Sequence, residues 1–487
     1  MSRVSSKNLP ENIRNFSYDR DVVDMGIMHF GIGNFHRAHQ AVYVEALLEK
    51  GATQWGITGV SLRSASMQEA LAPQDYIYTL AILGEQTKYS TIGAIKNVLV
   101  APHTPRAVID LIADTKTQLI SSTITEKGYY LSSGKADFES AALKAEQLSL
   151  ERPTTIYGFL AQGLIARHQQ APEAKLTIMC CDNISKGGEL LESGVHHLLS
   201  LHDKSTLKWA QNHVSFISSM VDRVSPATDE KLIDAVLRGT GREDASPVSA
   251  EPFSQWIIED NFAGDRPDFD QVGAVFVKDI TPFERMKLSY LNAAHTMVST
   301  FGHLFGATYV HEALEEEDVF AFMRQALYKN VLPNAEVPVG YDGAEYIEDV
   351  IKRFQNGNLP YANLQVGTDS SQKIQQRWFP TIDAALSRGN DTSYFAFCLA
   401  AWAVFIETAL KNGTLNDPKK SDFMQVEPHD VGEWVLGYLK ISNANQYDFY
   451  AQSDFILPVI DYARDIKNKG IKSSLKKFLN ANLITKI

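Results

Sequence analysis

The stretch Met25-Gly-Ile-Met-His-Phe-Gly31-Ile-Gly33 decides the fold of this chain. Its apolar first half is typical of a buried strand, and the glycines that follow predict a tight turn where that strand ends. Residues 34–40 then lead into a helical pattern, for which Gly51 is the expected C-terminal cap. Strand, glycine turn and helix in this order predict the first unit of a Rossmann-type sheet.

The glycine turn has the features of a dinucleotide-binding site. Its two glycines let the backbone approach a pyrophosphate, the N–H groups of the next helix can receive it, and Arg37 would add a cation. His36 replaces the third glycine of the usual fingerprint, so an ordinary tight turn stays an alternative. The residues predicted to bind the cofactor are Gly31, Gly33, Asn34, Phe35, Arg37, Arg63, Ser66, Thr125 and Glu126.

A second strand is predicted over residues 55–62 and is followed by Arg63-Ser64-Ala65-Ser66. In this fold the end of the second strand meets the adenosine ribose, where an acidic residue favours NAD and small or basic residues admit a 2′-phosphate. No acidic residue precedes Glu69 here. The expected cofactor is NAD, NADP is not excluded, and the preference between them stays open.

Strands and helices continue to alternate up to residue 280. Strands are predicted at 91–100, 119–125, 175–181 and 272–280, and helices at 105–113 and 154–168. Thr125, Glu126, Asp182 and Asn183 follow two of these strands, and function collects at such carboxyl ends in open α/β sheets. The segment 218–226 looks like a polar break in an apolar run. The fold class is α/β, with a dinucleotide-binding Rossmann-type domain over 1–280.

After residue 281 only helical periods remain, so a mainly α-helical domain that binds substrate and carries out catalysis is predicted over 281–487. The periods run over 282–306, 310–332, 344–354, 381–386 and 394–410. Between them lies a polar stretch, 365–378, which is unlike its helical neighbours. It is either a plain solvated loop or a loop over the cleft that supplies hydroxyl-binding groups and the cation Lys373.

Composition is typical of a soluble globular protein. The net charge of −12 argues against nucleic acid and acidic membrane surfaces as partners. Cys180, Cys181 and Cys398 form no disulfide framework and lack the spacing of a zinc site, so no metal is expected. The longest apolar run, 394–406, is shorter than the roughly 20 residues of a membrane helix and is interpreted as a buried core helix. A cytoplasmic monomer or weak oligomer, without nucleic acid or membrane partners, is expected.

The segment Lys287-Leu-Ser-Tyr-Leu-Asn-Ala-Ala-His295 lies in one predicted helix that opens at Thr281-Pro282. At about 100° per residue, Lys287, Asn292 and His295 fall within an arc of about 140°, which also contains Glu284. A lysine that loses its proton can act as a base, an asparagine can donate to an oxyanion, and a histidine can orient a reacting group. Such a set suits the oxidation of an alcohol without a metal. Ordinary solvated side chains are the alternative.

Six motifs occur in order along the chain. They are Gly31-Ile-Gly-Asn-Phe-His-Arg-Ala-His39, Thr123-Ile-Thr-Glu-Lys-Gly-Tyr129, Cys181-Asp-Asn183, Met220-Val-Asp-Arg223, Glu251-Pro-Phe253 and Lys287-Leu-x-x-Leu-Asn292-x-x-His295. In this combination the chain resembles the polyol-specific long-chain dehydrogenase family, which includes mannitol 2-dehydrogenases and fructuronate reductases. The resemblance runs from about residue 25 to the C-terminus.

The resemblance implies a nicotinamide-dependent, metal-independent oxidation of a secondary alcohol. Lys287 would be the general base that removes the hydroxyl proton, and Asn183 and Asn292 would form the oxyanion hole. His295 would orient the reacting oxygen, and Glu284 would pass the proton between Lys287 and solvent. Because an ordinary lysine is protonated at pH 7, this role requires burial and the positive nicotinamide to depress the pKa of Lys287.

The resemblance also implies substrate-binding roles for Asp222 and Lys373, whose positions match residues that bind hydroxyl groups. Mannitol with fructose is the expected substrate pair, and fructuronate with mannonate is the alternative. Gln365 and Arg377 are nearer to the fructuronate reductases, and Arg377 could bind a carboxylate in bidentate fashion. The segment Val60-Ser-Leu-Arg63 is nearer to the mannitol branch.

Two positions that follow the second strand depart from the mannitol branch. Ala65 and Ser66 stand where mannitol-oxidising relatives tend to carry acidic residues, which puts strict NAD preference in doubt. A non-catalytic dinucleotide-binding protein is an alternative of another class. It is disfavoured because the lysine, histidine and both asparagines of the implied site are all present.

Overall fold

Continuous apolar runs form the central strands of the first half of the chain. In the computed structural model, which describes residues 2–132 and 134–483, all residues of Ile27–Phe30, Leu119–Ser122 and Leu176–Cys180 are buried. Strands buried on both faces are typical of a parallel sheet covered by helices. The chain divides into two units, Met1–Ile280 and Thr281–Ile487.

The first unit contains thirteen strands and nine α-helices among its described residues. Its strands are β1 (Ile27–Phe30), β2 (Ile57–Ser61), β3 (Tyr78–Leu83), β4 (Thr87–Ile92), β5 (Ile95–Val100), β6 (Leu119–Ser122), β7 (Leu131–Ser132), β8 (Lys135–Ala136), β9 (Leu176–Cys180), β10 (Val214–Asp222), β11 (Val248–Ala250), β12 (Gln255–Glu259) and β13 (Val275–Val277). Its helices are α1 (Asn34–Ala38), α2 (Gln40–Glu49), α3 (Ser66–Leu71), α4 (Pro105–Ala113), α5 (Ala141–Leu148), α6 (Ile156–Gln170), α7 (Gly187–His202), α8 (Lys204–His213) and α9 (Glu230–Thr240). Short 3-10 helices cover Arg20–Val22, Ala72–Gln74, Glu126–Tyr129 and Phe269–Val272.

Eight strands form the main sheet, in the order β13-β12-β10-β9-β6-β1-β2-β5. Neighbouring strands are parallel except for β10 and β12. From β1 the chain builds outward through β2 and β5, and then returns to β6 on the other side of β1. The order therefore reverses between β1 and β6, and ligands of open α/β sheets bind outside the carboxyl ends of such strands. The predicted Rossmann-type fold is confirmed.

Alternate residues of the central strands supply two separate cores. Ile27, Leu119 and Met179 belong to one, whereas Met28 and Ile120 belong to the other. Because successive side chains of a strand point to opposite faces, the two cores lie on the two faces of the sheet. Strands β11, β3 and β4 form a smaller sheet, and β7 pairs with β8.

The second unit is helical, as predicted, and its described residues hold no strand beyond an isolated bridge between Tyr309 and Ala362. Its helices are α10 (Thr281–Lys287), α11 (Ala293–Phe305), α12 (Val310–Glu315), α13 (Glu317–Ala326), α14 (Gly343–Phe354), α15 (Asn363–Val366), α16 (Ser370–Arg377), α17 (Phe379–Ser387), α18 (Ser393–Lys411), α19 (Lys420–Met424), α20 (Val431–Ile441), α21 (Ser453–Lys469) and α22 (Ile471–Leu483). Leu288–Asn292 and Leu327–Val331 are π turns, and Ala444–Gln446 and Asp448–Ala451 are 3-10 helices.

Helix α18 forms the centre of the second unit. By length and composition it could cross a membrane, but 72% of its most apolar window is buried inside the protein. It packs against α11 and α21. The interpretation of this run as a buried core helix is therefore confirmed.

Three segments differ from the prediction. Residues 91–100 are not one strand, because the chain turns at Gly93-Ala94, where both N–H groups donate to the buried carboxylate of Glu45. The first half of the predicted polar break at 218–226 lies inside β10, which continues to Asp222, and there Ser219 Oγ donates to the carbonyl of Cys180 at 2.9 Å. Polar residues fit a buried strand when each has such a partner.

The third difference is the stretch 365–378, which forms helices α15 and α16 rather than a loop. Ser371 is buried in α16, and its Oγ donates to Asp417 at 2.6 Å. Ser370 is also buried and accepts from the indole N–H of Trp402 at 3.1 Å. Because serine side chains take the buried positions of this helix, its amphipathic pattern is not visible as an apolar stripe.

Asn330, in the second π turn, caps helix α18. Its Oδ1 accepts from the backbone N–H groups of Tyr394 at 3.1 Å and Phe395 at 3.2 Å. The side chain is fully buried. These two donors belong to the first turn of α18, which has no intrahelical acceptors for them.

Replacing Asn330 with Ala should lower the free energy of unfolding by roughly 1–3 kcal/mol, because two buried N–H groups lose their acceptor. Urea unfolding followed by circular dichroism measures the change. Asn412→Ala, at the exposed end of the same helix, is the control and should stay within about 0.5 kcal/mol of wild type. Equal effects of the two substitutions would contradict the capping role.

Candidate functional site

The turn after β1 brings its backbone unusually close to the end of β6. Gly31 has a φ of +98°, and a Cβ placed on it would lie 2.0 Å from the carbonyl oxygen of Thr123. At Gly33, by contrast, a Cβ would meet nothing within 4 Å. Gly31 is thus required by the fold, whereas Gly33 leaves open space where the backbone faces a ligand.

A cavity of about 250 Å³ lies beside this turn. Of the residues predicted to bind the cofactor, Gly31, Gly33, Arg63 and Ser66 line it. Ser64 and Tyr130 are among the other lining residues. The cavity therefore extends from the switch point between β1 and β6 to the end of β2, which is the path of a dinucleotide on this fold.

The other predicted cofactor residues do not line this cavity. Arg37 is fully buried, where its guanidinium donates to the carbonyl of Ser246 and, at 2.8 Å, to Asn34 Oδ1. Asn34 in turn donates to Pro226 O at 3.0 Å. Burial lowers the pKa of Arg37. These bonds hold α1 against residues 226–246, and contact of Arg37 and Asn34 with a cofactor stays a prediction.

Phe35, Thr125 and Glu126 also lie outside the cavity lining. The ring of Phe35 stacks on that of His39, with centroids 5.1 Å apart. Thr125 has a φ of +64°, which is strained for a β-branched residue. Its direct contact with a cofactor stays a prediction.

His36 fills the place of the missing third glycine. Its ring stacks on that of His29, with centroids 3.5 Å apart, and both side chains are buried. His29 contacts Ser121 Oγ at 2.7 Å and Thr123 Oγ1 at 2.8 Å. Burial lowers the pKa of His29 to about 3, so the pair is neutral at physiological pH. This flat stack brings α1 against the sheet without a glycine, and no pattern in the sequence indicated it.

Asp182 joins the carboxyl ends of β6 and β9. Its carboxylate accepts from the backbone N–H of Ile124 at 2.7 Å, the N–H of Thr125 at 3.0 Å and the hydroxyl of Tyr129 at 2.7 Å. Burial raises the pKa of Asp182, against the effect of these bonds. Asp182 holds Thr125 in its strained conformation and fixes the end of β9. The next residue, Asn183, is exposed.

In the second unit, α10, the first π turn and α11 form one continuous helix. The N–H of Ala293 donates to the carbonyl of Leu288, five residues back. Such a turn takes up one extra residue, so the side chains beyond it are rotated back by about 100°. Lys287, Asn292 and His295 then fall within an arc of about 60° rather than the predicted 140°. The π turn places them on one narrow face of the helix.

This face is largely shielded from solvent. Lys287 is 8% exposed and is the only buried lysine in the parts of the chain that the structure describes. Asn292 is 9% exposed. His295 packs near the rings of Phe354 and Tyr361, with centroid distances of 4.8 and 5.2 Å. An amine, a carboxamide and an imidazole thus share an enclosed surface, and Glu284 lies one turn before them.

The predicted substrate residues occupy varied positions. Asp222 is buried at the end of β10 in the first unit. Gln365 is exposed on α15, and Lys373 on α16 donates to the carbonyl of Val366 at 3.2 Å. Arg377, at the end of α16, donates to the carbonyl of Asn292. Among residues 2–132 and 134–483, no group of three or more His, Cys, Asp and Glu side chains has an arrangement suited to a metal ion.

Comparison with known families identifies both units. A family described as "Mannitol dehydrogenase Rossmann domain" matches residues 25–271, and one described as "Mannitol dehydrogenase C-terminal domain" matches residues 279–443. The chain is 32% identical to a polyol:NADP oxidoreductase of Gluconobacter oxydans, with 98% of this chain and 99% of the relative covered. It is 32% identical to a mannitol 2-dehydrogenase of Pyricularia oryzae, with 98% and 99% covered. It is 31% identical to a D-mannonate oxidoreductase of Escherichia coli, with 97% and 99% covered.

Two solved structures have the same architecture over nearly the whole chain. A D-sorbitol dehydrogenase in substrate-free form matches with a TM-score of 0.89 and 30% identity, covering 98% of this chain and all of the other. The mannitol 2-dehydrogenase of Pseudomonas fluorescens, in a ternary complex with NAD and D-mannitol, matches with a TM-score of 0.83 and 30% identity, covering 98% and 99%.

A Rossmann-type unit followed by a helical unit, with polyol and sugar-acid dehydrogenases as relatives, defines the class as nicotinamide-dependent oxidoreductases that act on CH–OH groups. The chain belongs to the mannitol dehydrogenase family. The predicted family, the predicted oxidoreductase activity and the predicted class of cofactor are thereby confirmed.

Single alanine substitutions at the two glycines of the turn should have different effects, one on stability and the other on cofactor affinity. Gly31→Ala should lower the free energy of unfolding by about 2 kcal/mol or more, because the methyl group meets a backbone carbonyl and the residue needs a positive φ. Gly33→Ala should fold normally but weaken dinucleotide binding by about tenfold, because its methyl group enters the cavity. Thermal unfolding and fluorescence titration with NADH measure both. Normal NADH affinity in Gly33→Ala would exclude this turn from the binding site.

Proposed function

We propose that the protein interconverts a polyol and its 2-ketose, with mannitol and fructose as the main pair. The single observation that supports this best is the narrow, enclosed helix face that carries Lys287, Asn292 and His295. An amine, an amide donor and an imidazole on one rigid face are what a metal-independent alcohol oxidation requires. The names of several relatives, which include mannitol 2-dehydrogenases, agree with it.

Each residue of this face has one part in the proposed mechanism. Burial of Lys287 favours the neutral amine, which removes the proton of the substrate hydroxyl. The carboxamide of Asn292 donates to the oxygen as negative charge develops on it, and Asn183 is assigned the same part. His295 binds the reacting oxygen, and Glu284 exchanges the proton of Lys287 with solvent. A bound nicotinamide dinucleotide supplies the hydride acceptor.

The remaining assignments concern the substrate chain. We assign Asp222, Gln365 and Lys373 to its hydroxyl groups, because each carries a polar group suited to a sugar hydroxyl. The sugar-acid alternative is less well supported. The cation that it would need, Arg377, already donates to the backbone of Asn292 and to Thr296.

A substrate panel tests the proposal. Formation or consumption of NADH and NADPH at 340 nm would be followed with mannitol, arabinitol, sorbitol and mannonate, and with fructose and fructuronate in reverse. Turnover of mannitol and fructose is expected. Activity confined to mannonate and fructuronate, or binding of cofactor without turnover of any compound, would contradict the proposal.

Replacing Lys287 with Ala should lower kcat at least about 100-fold, because the general base is lost. The affinity for NADH should remain, because the dinucleotide turn belongs to the other unit. Arg285→Ala is a matched control: this side chain lies two residues earlier, is 64% exposed and pairs with Glu336. It should retain activity. Near-normal turnover by the Lys287→Ala variant would rule out the mechanism.

We further propose that the cavity accepts the 2′-phosphate of NADP. Arg63, Ser64 and Ser66 line its far end, and no carboxylate occurs among the described residues that line it. Ser64 Oγ donates to Ser66 Oγ at 2.9 Å, so the two hydroxyl groups stand side by side. A guanidinium and two hydroxyls suit a phosphate, whereas an NAD-specific site places a carboxylate on the ribose. A relative named for NADP agrees.

Arg63→Ala should therefore raise the Kd for NADPH by about tenfold and change the Kd for NADH by less than about twofold. Fluorescence titration of both cofactors measures this without turnover. Arg106→Ala, at an exposed arginine paired with Asp110, is the control. Ser66→Asp should act in the same sense and weaken only NADPH binding, because it adds a negative charge beside the 2′-phosphate. Equal changes for both cofactors in the Arg63 variant would contradict a phosphate site.

A further inference from the structure

Arg377 contacts the end of the π turn in the helix that carries Lys287. Its Nη1 donates to the backbone carbonyl of Asn292 at 3.2 Å and to Thr296 Oγ1 at 2.8 Å. The hydroxyl of Thr296 donates to the same carbonyl at 3.1 Å. The next residue, Trp378, donates its indole N–H to the carbonyl of Ala293 at 3.2 Å. The end of α16 thus holds the last residue of the π turn and the first residue after it.

A π turn creates a need for such donors. It interrupts the regular spacing of hydrogen bonds along the helix, and backbone groups near the interruption are satisfied by side chains. Arginine suits this position because it carries five N–H donors and keeps its charge. Burial lowers the pKa of Arg377 to about 10, which still leaves it charged at neutral pH.

The charge of Arg377 is directed at the helix rather than at an acid. None of the carboxylates in residues 2–132 and 134–483 forms an ion pair with it. Hydrogen bonds from a charged donor are about twice as strong as neutral ones. A half-buried guanidinium without a counter-ion therefore has the Asn292 carbonyl and the Thr296 hydroxyl as its observed partners.

We propose that Arg377 is a positioning residue for the reaction. By holding the backbone of Asn292, it fixes where the carboxamide of that residue points, so that the amide donates to the alcohol oxygen as charge develops. This inference rests on the proposed function of Asn292. If Arg377 instead bound a substrate carboxylate, its loss would raise KM for sugar acids and leave kcat for mannitol unchanged.

The first test compares Arg377→Met, which keeps the length of the side chain but removes all donors, with Arg377→Lys. For mannitol oxidation, Arg377→Met should lower kcat by about 10- to 100-fold, because a misplaced oxyanion donor costs this much. KM should change by less than about threefold, and NADH affinity should be unchanged. Arg377→Lys keeps one donor and should recover part of kcat. Gln376→Met, at the exposed neighbouring position, is the control and should behave as wild type.

The second test uses the shared partner. Thr296→Val keeps the shape of the side chain and removes the hydroxyl that Arg377 contacts, so it should lower kcat in the same direction. Because both residues act on one carbonyl, the double variant should lose much less than the product of the two single losses. Amide hydrogen exchange gives a readout that needs no substrate. Peptides covering 288–297 should exchange faster in Arg377→Met than in Gln376→Met.

The possible outcomes are distinct. Unchanged kcat and unchanged exchange in Arg377→Met would overturn the inference. So would a raised KM confined to sugar acids with mannitol turnover retained, which would make Arg377 a carboxylate ligand. If Arg377→Met does not fold, the kcat and hydrogen exchange of Arg377→Lys and Thr296→Val decide whether Arg377 is a positioning residue. If the wild type turns over no polyol, the proposed function fails, whereas the exchange measurement still decides whether Arg377 holds this segment.

Discussion

The close approach of two backbone segments, Gly31 and Thr123, governs the first unit. These segments end neighbouring strands at the point where the strand order reverses, and only a glycine with positive φ fits between them. The same strand ends are tied by the contact of His29 with Thr123 and by the bonds of Asp182 to residues 124–129. The rigid crevice that results opens onto the nucleotide cavity, so cofactor binding follows from how the sheet is connected.

The second unit presents several polar groups on a buried helix face. A regular helix would spread Lys287, Asn292 and His295 over more than a third of its circumference. The π turn aligns them, and it leaves an irregular backbone that the end of α16 stabilises from the side. Arg377 and Trp378 therefore belong to the same arrangement as the polar residues on this helix face, although they are distant in sequence.

Much of this was predictable from the sequence because its signals are local. Buried strands, the glycine turn, the helix of 105–113 and the helical second half all follow from apolar periodicity and turn residues. The segments whose structure differs from the prediction depend on contacts with residues that are distant in sequence. Buried serines in β10 and α16 look like solvated residues until their hydrogen-bond partners are known, and the burial of Arg37 among backbone carbonyls is likewise not visible in the sequence. The π turn contains no glycine or proline that would predict it from the sequence.

The π turn also changes what the spacing of the Lys287–His295 motif means. The four residues between Lys287 and Asn292 have no assigned part in the chemistry, yet they are one more than a regular helix needs to bring Asn292 within about 40° of Lys287. Removing one of them while the helix becomes regular would leave every later side chain of α11 on the face it has now, because the loss of one residue and the loss of the π turn cancel. A regular helix that kept all four residues would instead place Asn292 about 140° from Lys287. The π turn is therefore the way in which this segment accommodates one extra residue while Asn292 and His295 stay on the helix face of Lys287.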